Sequence, residues 1–152
     1  MTNDFGKTVE IFLAEDNEAD IHLFRESLKE WKTPFNFVTA QDGDEALKIL
    51  QNEDYLPDLI FLDINMPKKS GLEVLDVIKQ NPDLQCIPAI VISGSAAQQD
   101  VMSAYKLQAN SFVQKPQDFD DFLALARAIE GWWLQFTLLP KRRKTTMTQE
   151  TA

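Results

Sequence analysis

Histidine and cysteine are almost absent: His22 and Cys86 are the only ones in 152 residues. A single cysteine excludes an internal disulfide, and its apolar neighbours read Cys86 as a small buried core residue. His22, with no catalytic core around it, reads as a surface residue. Glycine is scarce too. The five glycines are scattered and no GxxxxGK[ST] run occurs, so the chain offers no nucleotide cradle of its own. Basic residues are outnumbered, 15 against 24 acidic, and the net charge of −9 repels nucleic-acid phosphate and anionic lipid. The one basic run, "KRRK" at Lys141 to Lys144, precedes the polar "TTMTQETA" and reads as a solvated tail. Direct DNA binding is therefore not expected. No run reaches the roughly 18–20 apolar residues of a membrane span, and "MTNDFGKTVE" lacks a secretory hydrophobic region, so a cytoplasmic protein is expected.

What is present is a regular alternation. Short apolar runs read as strands over Val9–Ala14, Phe35–Thr39, Asp58–Leu62, Ile87–Ile92 and Ser111–Val113. Between them, apolar residues recur three or four apart. Ile21, Phe24, Leu28 and Trp31 mark the first helix; Ala46, Ile49 and Leu50 the second; Leu72, Leu75 and Ile78 the third. Val101, Ala104 and Tyr105 mark a fourth, and Phe122, Ala126, Ile129, Trp133 and Phe136 a long fifth. Five β-α units with right-handed crossovers predict an α/β fold: a five-stranded parallel sheet with helices on both faces, strand order 2-1-3-4-5. The chain divides into a lead over 1–8, one domain over 9–139 and a basic, polar tail over 140–152.

Parallel strands send all their carboxyl ends to one edge, where open α/β folds hold ligands. The residues arriving there are Glu15 and Asp16 after the first strand, Asp63 after the third, Ser93 after the fourth and Lys115 after the fifth. Strands one and three are neighbours in this order, so three carboxylates meet. Such crowding persists only if their pKa values rise or a cation neutralises them, and oxygen ligands with room for water suit Mg²⁺. A carboxylate, a metal, an ammonium and a hydroxyl around one point suit acceptance of a phosphoryl group by Asp63, with Lys115 and Ser93 stabilising its oxygens. Each residue alone has a bland reading: Glu15 and Asp16 as helix-leading acids, Ser93 as a common strand-end serine, Lys115 as a surface lysine. Asp58, after Pro57, reads as a turn residue. The specificity lies in four strand ends each supplying the right group.

The stretches "LAEDN", "PDLIFLDINMPKKSG", "IPAIVISGS" and "NSFVQKP" together resemble the receiver domain of two-component response regulators, over roughly Val9 to Phe136. The resemblance implies a flavodoxin-like receiver fold and phosphorylation of Asp63 by a sensor histidine kinase. It further implies Mg²⁺ held by Asp16, Asp63 and the backbone carbonyl of Asn65, with Glu15 acting through water. It implies a switch in which Ser93 moves toward the phosphoryl group and Phe112 turns inward, read out over the fourth helix, fifth strand and fifth helix. The Lys115–Pro116 bond is implied to be cis. Glu15, Ser93 and Phe112 stand where the family more often has Asp, Thr and Tyr, and none of these removes a required group. The pieces "EDNEADIHLFRESLKE", "SAYKLQANSFVQKP" and "AIEGWWLQFTLLP" are similar to phytochrome-associated single-domain regulators. That implies a phytochrome kinase as donor and a homodimer on the fourth-helix to fifth-helix face.

The residues at the end of the chain raise the same question independently. Trp132, Leu138 and Leu139 lie off the stripe of the fifth helix, so "FTLLP" either covers a partner or folds back over its own sheet edge. No output domain is expected after the fifth helix, so signalling passes through a separate, unidentified downstream protein. Two rivals remain: a degenerate receiver that only binds, and an Asp-based Mg²⁺ phosphohydrolase. The latter wants a second acid two residues after the nucleophile, where this chain has Asn65. The chain reads as a signalling phospho-acceptor, not an enzyme with an external substrate.

Overall fold

The computed structural model describes residues 8–140. Five strands, β1 (Val9–Ala14), β2 (Phe35–Ala40), β3 (Leu59–Asp63), β4 (Ala89–Ser93) and β5 (Ser111–Gln114), form one sheet of order β2-β1-β3-β4-β5. All pairings are parallel, with Ala14 opposite both Ala40 and Leu62, Asp63 opposite Ile92, and Ser93 opposite Gln114. Helices α1 (Glu18–Leu28), α2 (Gly43–Leu50), α3 (Gly71–Gln80), α4 (Gln98–Lys106) and α5 (Phe119–Ile129) alternate with the strands. No helix among the described residues is long and apolar enough to cross a membrane.

Strand side chains alternate between faces, which sorts the core into two layers. Phe12, Ile60, Leu62 and Val91 face one way and pack with Val74 and Leu75 of α3, alongside α2 and Ala104 of α4. Ile11, Leu13, Leu59 and Phe61 face the other way, against Phe24 of α1 and Phe122 of α5. This second layer is aromatic: the Phe24 ring meets Phe61 edge-on at 5.2 Å, with Phe37 and Phe122 at 5.9 and 6.1 Å. Trp31 joins α1 to α5 by donating its Nε1–H to the Ala126 carbonyl at 2.7 Å.

Helix starts follow local chemistry. Asn17, Asp42, Ser70 and Asp118 each accept a hydrogen bond from the backbone N–H three residues on, capping α1, α2, α3 and α5. Helix α4 differs: Ala97 offers no side-chain cap, and only Ala104 of the helix is buried. It is the helix least tied to the core.

Four expectations from the sequence are corrected. The fifth helix does not continue regularly, because after Ile129 it widens into a π-helical turn over Glu130–Phe136. Five residues per hydrogen-bonded step bring Leu134 onto the core (5% exposed) and turn Phe136 out (78% exposed), although 3.6-residue spacing points Phe136 inward. Trp132 and Leu138 are exposed as expected, while Trp133 and Leu139 pack partly against the aromatic layer. Tyr105 is exposed rather than core-facing, and its hydroxyl accepts from the Phe112 N–H at 3.1 Å. Cys86 is exposed, since in the irregular turn after α3 the buried positions go to Leu84 and Ile87. The Lys115–Pro116 peptide is trans, as are all described peptide bonds, in keeping with the ordinary preference of an X–Pro bond. The run Lys141–Lys144 lies outside the described residues.

Candidate functional site

The site forms where β1, β3, β4 and β5 end. Continuing the alternation of each strand, Glu15 follows Ile11 and Leu13, and Asp63 follows Leu59 and Phe61, so both belong to the side that carries α1. Both are buried, at 3% and 4% exposure. Asp16 is exposed, yet carboxylate oxygens of Glu15, Asp16 and Asp63 lie within 4.8 Å of one another. Three hard oxygen donors at that spacing, one of them open to water, fit a Mg²⁺-class cation.

Lys115, one residue past β5, reaches into this group. Its backbone N–H donates to the Ser93 carbonyl at 2.7 Å, extending the β4–β5 ladder by a step and fixing where the side chain departs. Its ammonium then lies 2.7 Å from Glu15 Oε1, 3.1 Å from Asp20 Oδ2 and 3.5 Å from Asp63 Oδ2. Burial alone would pull this ammonium down in pKa, but the hydrogen bond and charge of Glu15, with Asp63 and Asp20 behind it, hold it above the ordinary lysine value. Burial pushes Glu15 up to about 7, opposed by its bond from Lys115 and reinforced by the negative charge of Asp63. The pocket is thus short of positive charge.

Backbone packing positions the central carboxylate. A Cβ on Gly71 would run into the Asp63 carbonyl, and the Gly71 N–H donates to the Ile64 carbonyl at 2.9 Å. Only glycine lets α3 start this close to the strand end. In the connecting loop Lys68 adopts a left-handed φ of 71°, a conformation that costs a side-chain-bearing residue about 1–2 kcal/mol.

Glu15, Asp16, Asp63 and Lys115 are therefore brought together. Ser93 is on the same edge, fully buried at the end of β4, where its Oγ accepts from the Ser95 N–H at 3.1 Å. Asn65 lies two residues past β3 and is exposed. Phe112 is half-buried in β5, on the side away from α1, against the layer that contains Ala104. Asp58 ties the other end of β3 to β1, accepting from the Glu10 N–H at 2.8 Å. His22 is exposed.

Sequence reasoning passed over Asp20. The signal was present in "EDNEAD": an acid one turn into α1, three residues after its cap Asn17, faces the same strand edge as the cap itself.

The chain is similar to known proteins over most of its length. Residues 11–127 match the response regulator receiver domain family. The response regulator Rcp1 of Synechocystis sp. is 38% identical over 135 residues, covering 86% of this chain and 92% of Rcp1. The Mn²⁺-bound crystal structure of Rcp1 superposes with a TM-score of 0.80 over 88% of this chain and 99% of that one. The phosphorylated cyanobacterial phytochrome response regulator RcpA, 38% identical, gives a TM-score of 0.83 over 89% of this chain and all of RcpA. A bacteriophytochrome response regulator, RtBRR, is 30% identical with a TM-score of 0.68, covering 93% and 88% of the two chains.

Proposed function

Because the chain belongs to the response regulator receiver domain family, we propose that it accepts a phosphoryl group on Asp63 from a sensor histidine kinase, with a bacterial phytochrome as the sensing part. The observation that carries this is the convergence of Lys115 with Glu15 and the buried Asp63 at one strand edge. Its likeness to RcpA, a phytochrome response regulator, supports the choice of donor. Localisation in the cytoplasm, where such a kinase presents its phosphohistidine, follows from the same reading.

In the proposed reaction an Asp63 oxygen attacks phosphorus in line, the bond from phosphorus to the donor breaks, and an acyl phosphate remains on Asp63. Lys115 turns its ammonium from carboxylate to phosphoryl oxygen, a small movement from its present 3.5 Å to Asp63. Ser93 accepts from the Ser95 N–H, which leaves its own proton for a phosphoryl oxygen. Asp16, Asp63 and the Asn65 carbonyl would hold Mg²⁺, with Glu15 through water, and the ion would supply charge to offset the crowded oxygens.

Readout then passes through α4, β5 and α5. The uncapped α4, with one buried residue, and the half-buried Phe112 bonded to Tyr105 are suited to a two-state element that a new charge can bias. Met102, Tyr105, Trp132 and Phe136 leave apolar surface on α4 and the π-helical turn after α5, which supports a homodimer on that face and contact with a separate downstream protein. Sedimentation showing only monomer at high micromolar concentration, with and without phosphoryl donor, would remove the dimer.

The direct test is intact-mass labelling with acetyl phosphate and Mg²⁺. The wild type is expected to gain one phosphoryl group and Asp63→Asn none, because an amide is not a competent nucleophile. Retained label on Asp63→Asn would refute the assignment, and sustained turnover of phosphate monoesters would point to a hydrolase.

A further inference from the structure

The geometry points to Asp20 as a positioning residue for Lys115: its carboxylate holds the ammonium in place before the phosphoryl donor arrives. Asp20 is the third residue of α1, counting from the cap Asn17, and its own N–H donates to Asn17 Oδ1 at 3.0 Å. In a capping box a Glu or Gln at this position turns back to bond the N–H of the capping residue. Here that N–H is taken, since Asn17 N donates to Glu15 Oε2 at 3.1 Å. The Asp20 carboxylate is released from capping and accepts instead from Lys115 Nζ at 3.1 Å, 95 residues away in sequence.

The number of donors matches the number of partners. A lysine ammonium has three N–H donors, and three carboxylates face this one, at 2.7 Å from Glu15, 3.1 Å from Asp20 and 3.5 Å from Asp63. The longest of the three is the one to the nucleophile. Glu15 and Asp20 therefore fix the ammonium while leaving Asp63 the least engaged of its partners. Ordering a long, flexible side chain in advance removes that ordering from the reaction step.

The kinetic half of this rests on the phospho-acceptor reading; the structural half does not. The test uses the full chain with divalent ions chelated, and follows the order parameter of the Lys115 ammonium by ¹⁵N NMR in wild type, Asp20→Asn and Asp20→Glu. The amide is isosteric and leaves the helix cap intact, because the cap bond uses the Asp20 N–H. We expect an ordered ammonium in the wild type, a mobile one in Asp20→Asn, and recovery of most of the order in Asp20→Glu. With Mg²⁺ and acetyl phosphate, labelling of Asp20→Asn is expected to slow on the order of tenfold, as for a displaced catalytic group, and Asp20→Glu to regain most of the rate. An ammonium equally ordered in Asp20→Asn, or labelling at the wild-type rate, would overturn the inference while leaving Asp63 as acceptor. A wild type that fails to label would remove the acceptor reading, and the ammonium order would still decide whether Asp20 holds Lys115.

Discussion

Two lysines, one at each edge of the sheet, make the same number of side-chain contacts and do opposite things. At the carboxyl edge Lys115 faces three carboxylates, and its pKa is held above the ordinary value. At the amino edge Lys79, near the end of α3, donates to the Ile87 and Gln85 carbonyls at 2.9 and 3.1 Å and to Asn110 Oδ1 at 3.3 Å. All three are neutral oxygens, and burial pulls Lys79 down. Asn110 Oδ1 also accepts from the Ala89 N–H at 2.9 Å, so Lys79 staples the loops that lead into β4 and β5. Ion-pair partners poise an ammonium to take on a new anion; neutral carbonyls use it as a clasp.

Exchanging each lysine for methionine should separate the two roles. Lys115→Met is expected to slow labelling by acetyl phosphate on the order of 100-fold, the usual cost of removing one group that stabilises transferring charge. Lys79→Met should leave the labelling rate unchanged and lower stability by about 1–3 kcal/mol, the range for losing charge-assisted hydrogen bonds. Urea midpoints and labelling kinetics on both variants check the pair, and a Lys79→Met that labels slowly would erase the distinction.

A smaller effect comes from the acid that Lys115 only partly neutralises. Glu15 binds its proton more tightly folded than unfolded, with a value of about 7 against 4.5. Its contribution to stability is therefore full below about pH 4.5 and is lost as pH rises through about 7. In divalent-free buffer Glu15→Gln should flatten that slope, by an amount on the order of 1 kcal/mol once its pairing is discounted. Mg²⁺ should flatten it in the wild type as well, because the ion favours the ionised carboxylates. Urea midpoints measured between about pH 5 and about pH 8 would show a slope that persists in Glu15→Gln if Glu15 is not its source.

Most of the fold was legible because its signals are local and repeated. Val9–Ala14 and the other apolar runs announce buried parallel strands, and the stripes between them announce helices that cover both faces. The order of the sheet then decides which loops meet, which is why residues as distant as Glu15, Asp63 and Lys115 could be placed at one edge before any coordinates. What escaped depends on detail finer than periodicity. A π-helical turn changes which residue faces inward without changing composition, so Leu134 and Phe136 exchange places. Cys86 sits in an irregular turn, where apolar neighbours do not fix burial. Asp20 was passed over because its diversion to Lys115 depends on Glu15 having already occupied the Asn17 N–H.

The most direct measurement locates the phosphoryl group itself. The protein is labelled with acetyl phosphate and Mg²⁺, reduced with borohydride so that an acyl phosphate becomes an alcohol, and the modified residue is read by tandem mass spectrometry. Homoserine at position 63 and nowhere else is the expected result. Reduction product at Glu15, Asp16 or Asp20 instead, or phosphate found on His22, would contradict it.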